Sequence, residues 1–179
     1  MELVHGDLIV RNPKAEDAEA VCASVQASLP ELEPWMPWAG PGYDVAAASA
    51  WIDGKFGDEH RFIMTVGGVL VGSCGLNQFD AFNRGANLGY WLRSDATGHG
   101  FASRAAYLVA RYGIEQLGFR RVEIMMSVHN DPSRRVAQRI GAVHEGIARD
   151  RLLLRGVHHD AHVFSLITRD FETHPDAYL

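Results

Sequence analysis

Gly98 and Gly100 stand one residue apart where the apolar run Leu88 to Leu92 gives way to a helical pattern, and that order of strand, glycine turn and helix can hold an anion. The first N–H groups of a helix have no partner within it, its dipole favours negative charge at that end, and glycine lets a ligand approach the bare backbone. Phe101, Ala105, Leu108, Val109 and Tyr112 then recur at the spacing of one helical face, so the helix starts where the glycines end, and Gly118 is expected in its C′ position. The chemistry suggested is binding of a phosphate-bearing cofactor, although a glycine pair also serves as an ordinary turn. A second polar group, Asn130-Asp131-Pro132-Ser133, opens the next helix. Asp131 is expected there as N-cap, with Pro132 at the first helical position and Gly141 closing the helix.

These groups need elements to carry them. A strand is expected from about Asp7 to Arg11, then a helix with Ala20, Val21, Val25 and Leu29 on its apolar side. Pro30, Pro34, Pro37 and Pro41 break the next segment, which holds Trp35, Met36 and Trp38 and reads as a loop rich in large apolar groups. A helix is expected from Asp44 to Phe56. Phe62 to Val66 and Val69 to Leu76 flank Gly67-Gly68 and read as a hairpin, so with Leu88 to Leu92 three antiparallel strands precede the glycine turn. After the central helix, Arg121 to Val128 alternates Val122, Ile124, Met126 and Val128 on one face, which implies a parallel crossover. Two closing strands, about Ala142 to Leu154 and Val157 to Thr168, meet at Arg155-Gly156. Neither an internal repeat nor an interdomain linker is visible, and the 179 residues read as one domain, 1–179.

Composition narrows the function. A net charge of −5 with dispersed basic residues argues against general affinity for nucleic acid or an anionic membrane. Cys22 and Cys74 have no spacing of a zinc knot or a disulfide framework and read as reduced core residues. There is no basic-then-apolar leader and no apolar run near the roughly 20 residues that span a bilayer, so a cytoplasmic protein is expected. The elbow of serine hydrolases and the phosphate loop of nucleotide triphosphatases are both missing. A dinucleotide oxidoreductase is disfavoured because Ser103 replaces the third glycine and antiparallel strands precede the turn.

With these residues in view the chain resembles the GNAT family of N-acetyltransferases, and more narrowly the RimJ/RimL branch that acetylates protein N-termini. The family's acetyl-CoA signature, Q/R-x-x-G-x-G/A, is similar to Thr97-Gly98-His99-Gly100-Phe101-Ala102, with Thr97 where Gln or Arg is commonest. The branch's Asn-x-x-Ser-x-x-Val/Leu-x-x-x-x-Gly-Phe block is similar to Asn130 through Ala142. The Pro-Trp-Met-Pro-Trp loop and the Gly156-Val157-His158-His159-Asp160 hairpin add to the likeness, which covers essentially the whole length. It implies a mixed α/β fold: a central mixed sheet flanked by helices and splayed between two strands, with acetyl-CoA as cosubstrate in the opening and no metal.

The resemblance also implies roles. The backbone N–H groups of Gly98, His99, Gly100, Phe101, Ala102 and Ser103 would hold the pyrophosphate, and the backbone of Trp91 and Leu92 would lie along the pantetheine. Asn130 would bind the pantetheine arm, and Ser133 would stand near the sulfur, where a hydroxyl can protonate a leaving thiolate. Both residues can equally be plain helix caps. Trp35, Trp38 and Tyr90 are candidates for the wall of the acceptor pocket, or for loop packing. A glutamate general base is expected where Leu152 stands; Asp150, Asp160, Glu123 and His99 are the substitutes considered. A site without a strong base suits an α-amine, about one third unprotonated near pH 7.5, better than a lysine, of which about 0.1% is.

The implied partner is thus an amine acceptor, with a protein N-terminus first. A small-molecule transferase acting on an aminoglycoside or polyamine, and a non-catalytic acyl-CoA sensor, are the alternatives. The oligomeric state stays open, a homodimer included. His158, Asp160 and His162 share one strand face but lack a second ligand cluster, and Arg134, Arg135 and Arg139 could reach the CoA 3′-phosphate or simply face solvent.

Overall fold

Eight apolar runs form strands in the computed structural model, which describes residues 1–57 and 60–173. They are β1 (Glu2–His5), β2 (Leu8–Arg11), β3 (His60–Val66), β4 (Val69–Asp80), β5 (Gly85–Leu92), β6 (Arg121–Ser127), β7 (Val143–Leu154) and β8 (Val157–Ile167). One sheet contains them all, in the order β1-β2-β3-β4-β5-β6-β8-β7. Every neighbouring pair is antiparallel except β5 and β6. The hairpin at Gly67-Gly68 forms as expected, with φ of +56° and +81°, values that suit glycine in a two-residue turn. β1 lies ahead of the strand expected to open the chain; it is a four-residue edge strand that pairs only with β2.

The helices are α1 (Ala18–Gln26), α2 (Leu29–Leu32), α3 (Val45–Ile52), α4 (Phe101–Glu115), α5 (Asp131–Arg139) and α6 (Thr168–Thr173). α1 buries Ala18, Val21, Cys22 and Val25, whereas Ala20, expected on the apolar side, is exposed. α3 is shorter than the Asp44 to Phe56 expected: the Asp44 carboxylate accepts from the Ala47 N–H, and the helix stops ahead of Gly54, whose φ is +79°.

α4 covers one face of the sheet with small residues. Ala102, Ala105, Ala106, Val109, Ala110 and Gly113 are buried, while Phe101, Leu108 and Tyr112 are only half-buried at its flanks. The approach is close enough that a Cβ on Gly113 would stand 2.7 Å from Leu76 Cδ1. α4 ends at Glu115 with Gln116 as C-cap, so Gly118 (φ +74°) falls one position beyond C′. The opposite face is covered by α1, α3 and the proline-broken loop, around Ile63, Leu70 and Trp91.

The feature that makes a site is the seam between the two halves of the sheet. β5 and β6 pair only at Gly85–Arg121, Ala86–Val122 and Asn87–Glu123, after which residues 88–92 and 124–127 share no register. The strands splay apart, and on that side the backbone of β5 faces a notch instead of a neighbour.

Candidate active site

The notch opens into a cavity of about 650 Å³. β5 gives it Tyr90 and Trp91, β6 gives Ser127, the head of α5 gives Asn130 and Ser133, and the loop gives Trp35 and Trp38. Six of the expected site residues are therefore brought together around one space. Leu92, the last residue of β5, does not line it, and Gly98 to Ser103 form a separate feature at the start of α4.

On the α4 side Tyr90 and Ser133 are coupled. The Tyr90 hydroxyl donates to the Ser133 carbonyl oxygen at 3.1 Å and stands 3.0 Å from Ser133 Oγ. Burial pushes the Tyr90 phenol far above its ordinary pKa, against a smaller opposing effect of Ser133, so the phenol keeps its proton at neutral pH. The single phenol hydrogen can serve either acceptor; when it is directed to Ser133 Oγ, the Ser133 hydroxyl hydrogen is left to point into the notch.

The N-cap of α5 is Asn130, not Asp131. Asn130 Oδ1 accepts from the Ser133 N–H at 3.2 Å, and Pro132 is the second helical residue instead of the first. Asn130 is thus not relieved of capping by Asp131, whose carboxylate instead takes two bonds from Arg134, at 3.1 and 2.8 Å. The cap fixes the first turn of α5 and so the place of Ser133 at the cavity wall.

The opposite side is aromatic. Trp38 lies with its ring centroid 5.5 Å from that of Tyr43 and 6.1 Å from that of Trp91. Trp91 is 9% exposed and Trp38 is 45% exposed, so the pair runs from the core to the mouth of the cavity. Burial pushes the Tyr43 phenol up to about 12. Two amides mark the floor, with Asn87 Nδ2 donating to Asn77 Oδ1 at 2.8 Å. Among the described residues that line the cavity none is Asp or Glu. His60 also lines it, packed against the rings of Phe79 and Tyr112; burial, with a further push from Arg61, lowers its pKa.

Arg155, at the tip of the β7–β8 hairpin, ties the aromatic loop down. Its Nε donates to the Glu33 carbonyl at 2.9 Å, and its Nη2 donates to the carbonyls of Met36, at 3.1 Å, and Ala39. Arg155 holds φ +51°, which is unfavourable for a residue with a Cβ, and Gly156 follows at +81°. No local sequence signal reveals this contact, because its partners lie more than 100 residues away.

The glycine turn has the form an anion needs. Gly98 and Gly100 hold φ of +85° and +76°, and a Cβ at Gly98 would meet nothing within 4 Å. Gly100 caps α4, its carbonyl accepts from Arg104 N–H at 3.0 Å, and the N–H groups of Phe101, Ala102 and Ser103 precede the first intrahelical donor. The Ser103 side chain itself is 4% exposed and turned into the core. Of the three arginines on α5, Arg139 reaches this turn, its Nη1 standing 3.7 Å from the Cβ position of Gly100. These features fit a diphosphate: bare amides, a helix dipole and a cation within reach.

None of the four substitutes for a general base lines the cavity. Glu123 pairs with Arg121 at 2.7 Å, His99 stacks on Phe101, and Asp160 accepts from the Asp150 N–H at 2.9 Å. Cys74 touches the cavity but is fully packed in the core, and burial raises the pKa of both Cys22 and Cys74, which keeps them as thiols. No group of three or more His, Cys, Asp or Glu that could hold a metal occurs among the described residues. Nor is any described helix long and apolar enough to cross a membrane.

The chain matches the family model described as an acetyltransferase (GNAT) domain over residues 7–143. It is 30% identical over 178 residues to the protein of Bacillus subtilis (strain 168) named "Putative ribosomal N-acetyltransferase YdaF", covering 94% of this chain and 96% of that one. A solved structure titled "Crystal structure of Probable acetyltransferase" superposes with a TM-score of 0.86 at 28% identity, covering 95% of this chain and 98% of its own. The ribosomal L7/L12 alpha-N-protein acetyltransferase RimL, solved with coenzyme A, shares the fold with a TM-score of 0.86 at 21% identity, covering 94% of this chain and 98% of its own.

Proposed function

From the premise that this chain belongs to the GNAT family and is an N-acetyltransferase that uses acetyl-CoA, we propose that its acceptor is the α-amine of a protein or peptide N-terminus. The observation that carries this reading is the acceptor side of the notch, with aromatic walls from Trp35 and Trp38, amides on its floor and no carboxylate among the described lining residues. A pocket for a polyamine or an aminoglycoside needs negative charge to meet several ammonium groups, whereas a peptide terminus presents one amine beside amide and apolar groups. Relatives named for ribosomal-protein acetylation support the same choice. The 179 residues act as one domain in this reading.

Acetyl-CoA, when bound, supplies the thioester carbon that receives the amine and the thiol that leaves. The N–H groups at residues 98–103, with Arg139, hold its diphosphate, and the unpaired edge of β5 at Trp91 and Leu92 accompanies the pantetheine and can donate to the carbonyl oxygen. Ser133, oriented by Tyr90, gives its hydroxyl proton to the departing sulfur. Trp35, Trp38 and Tyr90 confine the acceptor so that its nitrogen and the thioester meet within the notch.

The test is release of CoA thiol from acetyl-CoA with N-terminal peptides, polyamines and aminoglycosides as acceptors, with mass spectrometry to locate the acetyl group. Turnover with peptides carrying the mark on the α-amine is expected. Turnover confined to polyamines or aminoglycosides would replace this acceptor class, and CoA binding without thiol release for any acceptor would favour a sensor.

A further inference from the structure

We propose that Ser127 and His159 form a proton relay that acts as the general base of this enzyme, on the face of the notch opposite Ser133. The proposal rests on the notch being the site of acetyl transfer. Along β6, Ile124 and Met126 are buried in the core beneath α4, so by strand alternation Ser127 turns to the other face, that of the aromatic loop. Ser127 is 2% exposed, lines the cavity, and has its Oγ 3.0 Å from His159 Nδ1. The pairing of β7 with β8 sets His159 directly opposite Leu152, the position where a glutamate base was expected. An imidazole on the neighbouring strand thus stands beside the missing carboxylate, and a buried hydroxyl joins it to the cavity.

The valences of Ser127 agree with this direction of transfer. Its Oγ accepts from the His129 N–H at 3.3 Å, its hydrogen goes to His159 Nδ1, and the second lone pair is left for an N–H of the acceptor. As the acceptor's N–H bond breaks, a new O–H bond forms on Ser127 while its own proton passes to Nδ1, leaving His159 as the imidazolium. The freed nitrogen lone pair makes the N–C bond and the C–S bond breaks with its electrons on sulfur. The second proton lost by that nitrogen reaches sulfur by way of Ser133, and the half-buried His159 returns the first to solvent. An imidazole suits this role because one ring nitrogen can take up a proton while the other keeps its own. The groups that face it are Ser127, the ring of His129 with centroids 5.9 Å apart, and Leu152; Asp160, next along β8, turns to the other face and binds the Asp150 N–H.

The experiment is the pH profile of kcat/KM for one α-amine peptide in wild type, Ser127→Ala, His159→Asn, the double variant and His60→Ala. Asparagine keeps a hydrogen-bonding group near the place of Nδ1 but cannot take up a proton. For His159→Asn we expect a deficit of about 30-fold at pH 6.5 that shrinks to within about threefold at pH 9, as the acceptor loses its own proton unaided. Ser127→Ala should behave alike, the double variant should be no worse than the poorer single one, and acetyl-CoA affinity by calorimetry should stay within about twofold. His159→Asn, on a partly exposed hairpin, carries the test by itself if Ser127→Ala does not fold. A deficit of the same size at every pH, additive losses in the double variant, or a profile altered in His60→Ala and unaltered in His159→Asn would overturn the relay. Failure of folded wild type to bind acetyl-CoA would overturn the reading of the notch together with it.

Discussion

Replacing Arg155 with alanine should loosen the hold on the acceptor while leaving the cofactor untouched. Three hydrogen bonds from its guanidinium reach the carbonyls of Glu33, Met36 and Ala39, on either side of Trp35 and Trp38. Hydrogen bonds to a charged group contribute about 1.5–3 kcal/mol when well buried. Two of these are solvent-exposed, so about 1 kcal/mol each, and 2–3 kcal/mol in all, is the appropriate scale. At about 1.4 kcal/mol per factor of ten, the docking equilibrium of the aromatic loop shifts by roughly 30- to 100-fold. Acceptor KM should therefore rise by about tenfold or more. The KM for acetyl-CoA should remain within about twofold, because residues 98–103 lie at the head of α4 and make no contact with the loop through Arg155. Arg155→Lys should give an intermediate value, since an ammonium cannot span carbonyls as a planar fork does. Alanine also keeps the left-handed backbone at this position, where glycine would relax it. Steady-state kinetics of thiol release with each substrate varied, alongside thermal melts, provides the assay. Equal increases in both KM values, or a lowered Tm with acceptor KM unchanged, would refute the latch.

Ser133→Ala should lower kcat by about 100-fold or more with acetyl-CoA KM nearly constant, and activity unchanged in that variant would remove Ser133 from the chemistry. Gly100→Ala should raise the Kd for acetyl-CoA by about fivefold, because φ +76° disfavours a Cβ by about 1 kcal/mol; calorimetry measures it. Glu145, held by Arg121 at 2.5 Å, has its pKa lowered to about 2, so its folded form gains stability above the ordinary glutamate range, and that gain is lost as pH falls through about 4.5 towards 2. Screening at this partly exposed pair limits the effect to about 1 kcal/mol, and melts of wild type and Arg121→Ala should converge across that interval.

Much of this site can be read from neighbouring residues. The glycine turn, the hairpins at Gly67-Gly68 and Arg155-Gly156 and the parallel crossover all have local causes, in positive φ or in alternating apolar residues, and each stands where the sequence places it. The head of α5 lies one residue from the expected place because Asn130 and Asp131 are both good caps; the bond from Ser133 N–H selects Asn130. β1 is not legible in the sequence because four residues at an edge, none fully buried, carry too little pattern. Arg155 on the aromatic loop and Ser127 with His159 are pairings of distant residues, created by the register of β8 against β6 and β7, and spacing along the chain holds no trace of them.

Main-chain amides at the start of α4 are proposed to grip the diphosphate of acetyl-CoA. Calorimetric titration of the folded protein with acetyl-CoA, and in parallel with acetyl-pantetheine, which keeps the thioester and lacks the diphosphate together with the adenosine 3′-phosphate it carries, tests that most directly. Binding of acetyl-CoA at least about 100-fold tighter than acetyl-pantetheine is predicted, in keeping with several charge-assisted hydrogen bonds. Equal affinity for the two, or no heat with either, would contradict it.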